Sequence, residues 1–173
     1  MAPGTPRKPL WVAVDTNVLL DLADGKEIAW EAIDTVKRRL PGVQIVVPPT
    51  AIQELAAIVE NGDTAKEREL ALTAARKLVS EWQFVPLNII PVGHGITDRI
   101  ASVLRAEGLL PEEEVNDSYI VAESALAGCR ILLSSDTHVA DIPADKLALI
   151  LAAADVETVL ISRPRDIARK FGR

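Results

Sequence analysis

The chain has one cysteine in 173 residues, Cys129, so it can close no internal disulfide and offers no zinc cluster. It has no long apolar run: the longest, residues 147–154, is far too short to span a bilayer. Residues 1–9, with Pro3, Gly4, Pro6 and Pro9, contain no apolar core of the kind a signal peptide needs. They read as a loose leader ahead of a single domain over 10–173. Internal repeats, low-complexity tracts and an interdomain linker are also missing. Leu, Ile, Val and Ala are spread evenly, which argues against disorder and fits one domain with a proper core. The expectation is a soluble, cytoplasmic protein.

An excess of positive charge is lacking as well, the formal net charge being −6. Nucleic-acid binders are usually basic. A net value hides local arrangement, however. Acids that converge on divalent cations are cancelled by them, and a basic segment elsewhere can still meet phosphates. Arg163, Arg165, Arg169, Lys170 and Arg173 form such a local excess, although a solvated terminal helix explains them better. Charge decides nothing here.

What is present is an alternation of strand-like and helix-like segments. Apolar β-type runs at 11–14, 43–47, 131–133 and 156–161 read as strands. Helical periodicity marks 18–22, 28–40, 96–106, 116–127 and 144–153, with a closing turn or helix over 166–171. Thr50 with Gln53 and Thr64 with Glu67 have the spacing of capping boxes, opening helices to Glu60 and to about Trp82. Residues 84–90 read as a mixed connector. Such alternation predicts an α/β protein, a three-layer α/β/α sandwich with a central parallel sheet.

In that architecture, strand C-termini and the N-termini of the helices that follow share one edge, where α/β folds place their chemistry. Four acids stand at such positions. Asp15 ends the first strand and Asp136 follows the 131–133 strand. Glu54 lies early in the helix after the 43–47 strand, and Asp117 heads the core-facing stripe of the 116–127 helix. A charge at the head of an apolar stripe is costly without a partner. Each acid also has a plain reading, Asp15 as a helix cap and Glu54 as an exposed acid favoured by the helix dipole. Oxygen-only ligation suits Mg²⁺ or Mn²⁺, and paired hard cations are common machinery for phosphodiester cleavage.

These residues resemble a known family. The opening Val14-Asp15-Thr16-Asn17-Val18-Leu19-Leu20 is similar to the PIN-domain signature, and Glu54, Asp117 and Asp136 follow in matching order and context over roughly 10–161. The resemblance implies a metal-dependent ribonuclease like the toxin subunits of bacterial toxin–antitoxin pairs. It further implies that the four acids hold Mg²⁺ or Mn²⁺, with Asn17 and Ser134 supporting the site. RNA as substrate, an antitoxin partner and a homodimer come with it; Trp82, on the apolar face of the 64–82 helix, would anchor a subunit contact. The chain departs from the compact toxins in its length, through that helix and the connector after it, and in its Ser134-Ser135-Asp136 motif.

Other residues carry less. Asp141 would be a fifth ligand or a solvated loop acid. His94 and His138 have no partner dictated by spacing, Glu112, Glu113 and Glu114 read as a solvated helix start, and Arg99, Arg105 and Arg130 read as surface cations. Two other functions compete. A phosphoaspartyl phosphohydrolase would need a second Asp two residues after the first, where this chain has Asn17. A catalytically silent PIN-like RNA-associated scaffold should have lost an acid, and all four remain.

Overall fold

The computed structural model describes residues 9–172, so the leader expected over 1–9 lies, Pro9 apart, outside them. Five strands form one wholly parallel sheet: β1 (Trp11–Val14), β2 (Gln44–Val47), β3 (Val85–Pro86), β4 (Ile131–Leu133) and β5 (Leu160–Ser162). Its strand order is β3-β2-β1-β4-β5. Val12, Ala13 and Val14 are fully buried, as expected of a central strand covered on both faces. Among the described residues nine helices flank the sheet: α1 (Thr16–Ala23), α2 (Glu27–Arg39), α3 (Pro49–Asn61), α4 (Ala65–Lys77), α5 (Pro91–Ala106), α6 (Val115–Leu126), α7 (Thr137–Ala140), α8 (Ala144–Ala153) and α9 (Pro164–Phe171). The expected α/β/α sandwich is what the chain forms. One contiguous core, with Leu19, Ile33, Ile45, Ile120 and Leu132 among its members, joins the layers.

The order places the site. From β1 the chain steps one way to β2 and β3, then returns to the other side of β1 to add β4 and β5. The reversal falls at the C-terminal ends of β1 and β4, the place where open α/β sheets bind ligands. Asp15 and Ser134 emerge there from adjacent strands, with the Asp15 amide donating to Leu133 O at 3.1 Å.

Several elements differ from the sequence reading, each for a local reason. Thr50 is not a cap: α3 starts earlier, with Pro48 as N-cap and Pro49 pre-set for the first turn. At Thr64 one half of the box forms, Thr64 Oγ1 accepting from the Glu67 amide at 3.1 Å, while Glu67 Oε2 reaches one residue further back and accepts from the Asp63 amide. α5 starts at Pro91 rather than 96, taking His94 into its first turns. Gly93 lets α5 lie close to its neighbours: a Cβ there would sit 2.7 Å from Ile89 Cγ2 and 3.1 Å from Leu126 Cδ2. The strand expected over 156–161 is confined to Leu160–Ser162.

Trp82 corrects an expectation. α4 ends at Lys77, and Gln83, just after Trp82, adopts a left-handed conformation (φ 58°). Trp82 is buried, 5.5 Å edge-on from Trp30 and 5.6 Å from Phe84. It is a core residue and offers no anchor to a second subunit. Trp82→Ala should destabilise the protein by about 3–5 kcal/mol in urea unfolding, the cost of removing a packed aromatic. A loss below ~1 kcal/mol would contradict this packing.

Candidate active site

Asp15 is the most buried of the four acids, at 3% exposure. It follows the last residue of β1 and caps α1, its Oδ1 accepting from the Val18 amide at 2.9 Å. Its Oδ2 accepts a short hydrogen bond from the fully buried Ser134 hydroxyl. Ser134 Oγ in turn accepts from the Asp136 amide at 3.1 Å. One hydroxyl thus couples the end of β1 to the turn after β4. The capping reading and the site reading of Asp15 hold together, because a helix N-terminus is itself a favourable place for a carboxylate.

Asp136 repeats the pattern on the adjacent strand. It caps the short helix α7, its Oδ1 accepting from the amides of His138 (2.7 Å) and Val139 (3.3 Å). Glu54, half-buried on α3, accepts at Oε1 from the Thr16 hydroxyl at 2.8 Å. Glu54 therefore lies on the same edge as Asp15, beside the residue that follows it. Asp117, half-buried in the first turn of α6, stands near Asp136, Glu54 and Glu114.

The electrostatics record this crowding. Burial pushes the Asp15 carboxyl up to about 7, with Asp136 and Glu54 adding repulsion against the hydrogen bonds from Ser134 and Val18. Asp117 is pushed up to about 8, first by burial, then by Asp136 and by a hydrogen bond to Glu114 that favours its protonated form. Asp15 and Asp117 are each raised first by burial, and both also feel Asp136 and Glu54, so the surroundings of these acids are short of positive charge.

The donor set is wholly hard oxygen, which fits Mg²⁺ or Mn²⁺. Among the described residues no three acidic, histidine or cysteine side chains close on one point that could hold an ion, so ligation would draw these carboxylates further together. Cys129 contributes nothing, its buried thiol being pushed up to about 12.

The remaining candidates separate. Asn17 is exposed on α1 and makes no side-chain hydrogen bond among the described residues. Asp141 is tied to Arg163 at 2.6 Å, and His138 is exposed on α7. Arg105 donates to the Ser118 hydroxyl. Three residues belong to the neighbourhood that the sequence did not mark out. Thr16 lies inside the opening motif but has no signal of its own. Glu114 is masked by its run of three glutamates. Glu123 sits in the apolar middle of α6, only 6% exposed, where a lone acid was the available clue.

A carboxyl whose folded pKa exceeds its unfolded value binds its proton more tightly when folded. The contribution of Asp15 and Asp117 to metal-free stability is therefore fullest below about pH 4, near their ordinary value of 3.8, and is lost as the pH rises through about 7 and 8. Asp117→Asn, which keeps the shape and removes the charge, should raise the melting temperature in EDTA at pH 8 by roughly 2–4 °C, and little at pH 4. Differential scanning calorimetry decides it; a lower melting temperature at pH 8 would contradict the repulsion.

Three comparisons bear on the family. The structure of VapBC2 from Rickettsia felis bound to a DNA fragment from their promoter aligns at TM-score 0.62 and 11% identity, over 89% of this chain and 98% of that one. That of VapBC-1 from nontypeable Haemophilus influenzae aligns at 0.59 and 14%, over 90% and 98%. FitAcB from Neisseria gonorrhoeae aligns at 0.51 and 17%, over 88% and 97%. At these identities the likeness is one of fold. A search of curated protein sequences finds no match. The PIN domain family model matches residues 12–145, from inside β1 to the start of α8 and across all four rim acids, and the chain belongs to the PIN domain family.

Proposed function

We propose that the protein is an endoribonuclease that hydrolyses RNA phosphodiester bonds with Mg²⁺ or Mn²⁺, and that it works as the toxin of a toxin–antitoxin pair. What supports this reading is that Asp15 and Asp136 follow adjacent parallel strands, that Thr16 ties Glu54 beside Asp15 and Asp117 stands near Asp136 and Glu54, and that Asp15 and Asp117 are pushed up to about 7 and about 8. Asp15, Glu54, Asp117 and Asp136 would hold the cations. When bound, they supply Lewis acidity at the phosphoryl oxygens and make water a competent attacking group.

The chain's own groups orient the ligands. Ser134 fixes the rotation of the Asp15 carboxyl, and the α1 amide of Val18 fixes its other oxygen. Thr16 holds Glu54, and the α7 amides hold Asp136. These bonds pre-set the rim before substrate arrives, so less freedom is lost on binding. Since water rather than a ribose hydroxyl attacks phosphorus, the products should carry 5′-phosphate and 3′-hydroxyl ends.

Partners enter with the family. The VapBC2 structure is bound to a DNA fragment from its promoter, and an antitoxin-like protein partner is part of this proposal. A homodimer belongs to it on resemblance alone, and Trp82 has no part in it. A cytoplasmic location also belongs here; among the described residues no helix is long and apolar enough to cross a membrane. A phosphoaspartyl mechanism is disfavoured, because it needs a second acid two residues after Asp15, where this chain has Asn17.

The test is cleavage of unstructured and structured RNA with Mg²⁺, Mn²⁺ or excess EDTA, followed by end analysis. The expected result is metal-dependent cleavage with 5′-phosphate ends, and a loss of about 100-fold or more in kcat/KM for Asp136→Asn. Cleavage that persists in EDTA, or that leaves 2′,3′-cyclic ends, would contradict the mechanism. Absence of any cleavage would favour a silent scaffold.

A further inference from the structure

Helix α3 carries Glu54 to the rim, yet it has no cap of its own. Its N-cap is Pro48 and makes no side-chain cap bond. A helix start leaves amide donors without partners, and a buried start needs them satisfied. The partner comes from α6, about 70 residues away in sequence. Glu123 Oε2 accepts from the Thr50 amide at 3.1 Å, and Glu123 Oε1 accepts from the Thr50 hydroxyl at 2.6 Å. Both residues are more than nine-tenths buried, at 6% and 8% exposure.

The placement ties two rim acids together. Thr50 is one helical turn before Glu54 on the same face of α3, and Glu123 follows Asp117 on α6 by six residues, or about 9 Å of helix. A buried carboxylate in an apolar helix middle is costly unless it is hydrogen-bonded, and an apolar pair there would fold as well. What the two-oxygen grip adds is a single register and rotation of α3 against α6, since both bonds form only when Thr50 faces Glu123. Glu123 is not a ligand in this arrangement. It acts through Glu54 and Asp117.

We infer that Glu123 and Thr50 are positioning residues that lock α3 onto α6 and so set the separation of Glu54 and Asp117 that cation binding requires. This rests on the metal-dependent reading of the rim. Changing residues that orient metal ligands typically costs about 10–100-fold in metal affinity or activity, and a pair that only sets the separation of two ligands should act on the affinity.

The experiment compares Thr50→Ser with Thr50→Val in the full chain, measuring Mn²⁺ binding by titration calorimetry and the Mn²⁺ dependence of RNA cleavage. Serine keeps both bonds, whereas valine keeps the volume and loses the hydroxyl. The expected result is that Thr50→Val raises the half-saturating Mn²⁺ concentration about 10-fold with kcat at saturation little changed, and that Thr50→Ser restores it to within about twofold. Glu123→Gln should shift it in the same direction. Combined with Thr50→Val, it should cost less than the sum of the two, because the residues share one interaction. Equal Mn²⁺ midpoints for Thr50→Val and Thr50→Ser would overturn the inference, even if the valine variant melts lower. A wild-type protein that binds Mn²⁺ and cleaves RNA while the variants match it would sink this inference alone. A wild-type protein that binds no Mn²⁺ would sink the nuclease reading, and this inference with it.

Discussion

A carboxyl group at the end of a buried strand is the constraint around which the rest of the site is built. Three consecutive β1 residues have no exposed surface, and Asp15 follows them at 3% exposure. Such a group needs hydrogen bonds from the folded protein, and it takes them from the first turn of α1 and from Ser134 on the adjacent strand. Those bonds fix where β1 ends, how α1 leaves it and how the β4 turn approaches. The remaining acids then arrive by topology, because every strand of a parallel sheet ends on the same edge.

The acids oppose one another as they arrive. Burial raises Asp15 and Asp117, and the mutual repulsion of the rim adds to it. The fold tolerates this through two kinds of support. Hydroxyls and amides meet the carboxylates one at a time, as with Thr16 on Glu54 and the α7 amides on Asp136. The Glu123–Thr50 grip holds the two helices that carry Glu54 and Asp117. Neither supplies positive charge, which the proposed divalent cation would bring.

Much of this was legible in the chain. The four acids could be placed at one edge because strand-end and helix-start positions can be read from apolar periodicity, and a parallel sheet follows from the alternation, whereas its strand order β3-β2-β1-β4-β5 does not. The failures have physical causes. Trp82 looked like a surface anchor on a continuous helix, but α4 ends at Lys77 and the ring packs against Trp30 and Phe84 in the core. Thr50 matched a capping box, but Pro48 and Pro49 start the helix earlier and free its hydroxyl for a distant acid. Glu123 was illegible as a partner because its bond crosses from one helix to another. Glu114 was hidden by neighbours of its own kind.

The central claim is that the rim carboxyls hold protons that a divalent cation displaces. Titration calorimetry of Mn²⁺ binding, repeated at pH 7 in two buffers of different ionisation enthalpy, measures those protons directly. With Asp15 near 7 and Asp117 near 8, binding should release roughly one proton or slightly more per protein at pH 7 and almost none at pH 9.5. Mn²⁺ binding with no proton release at pH 7, or with equal release at both pH values, would contradict the account.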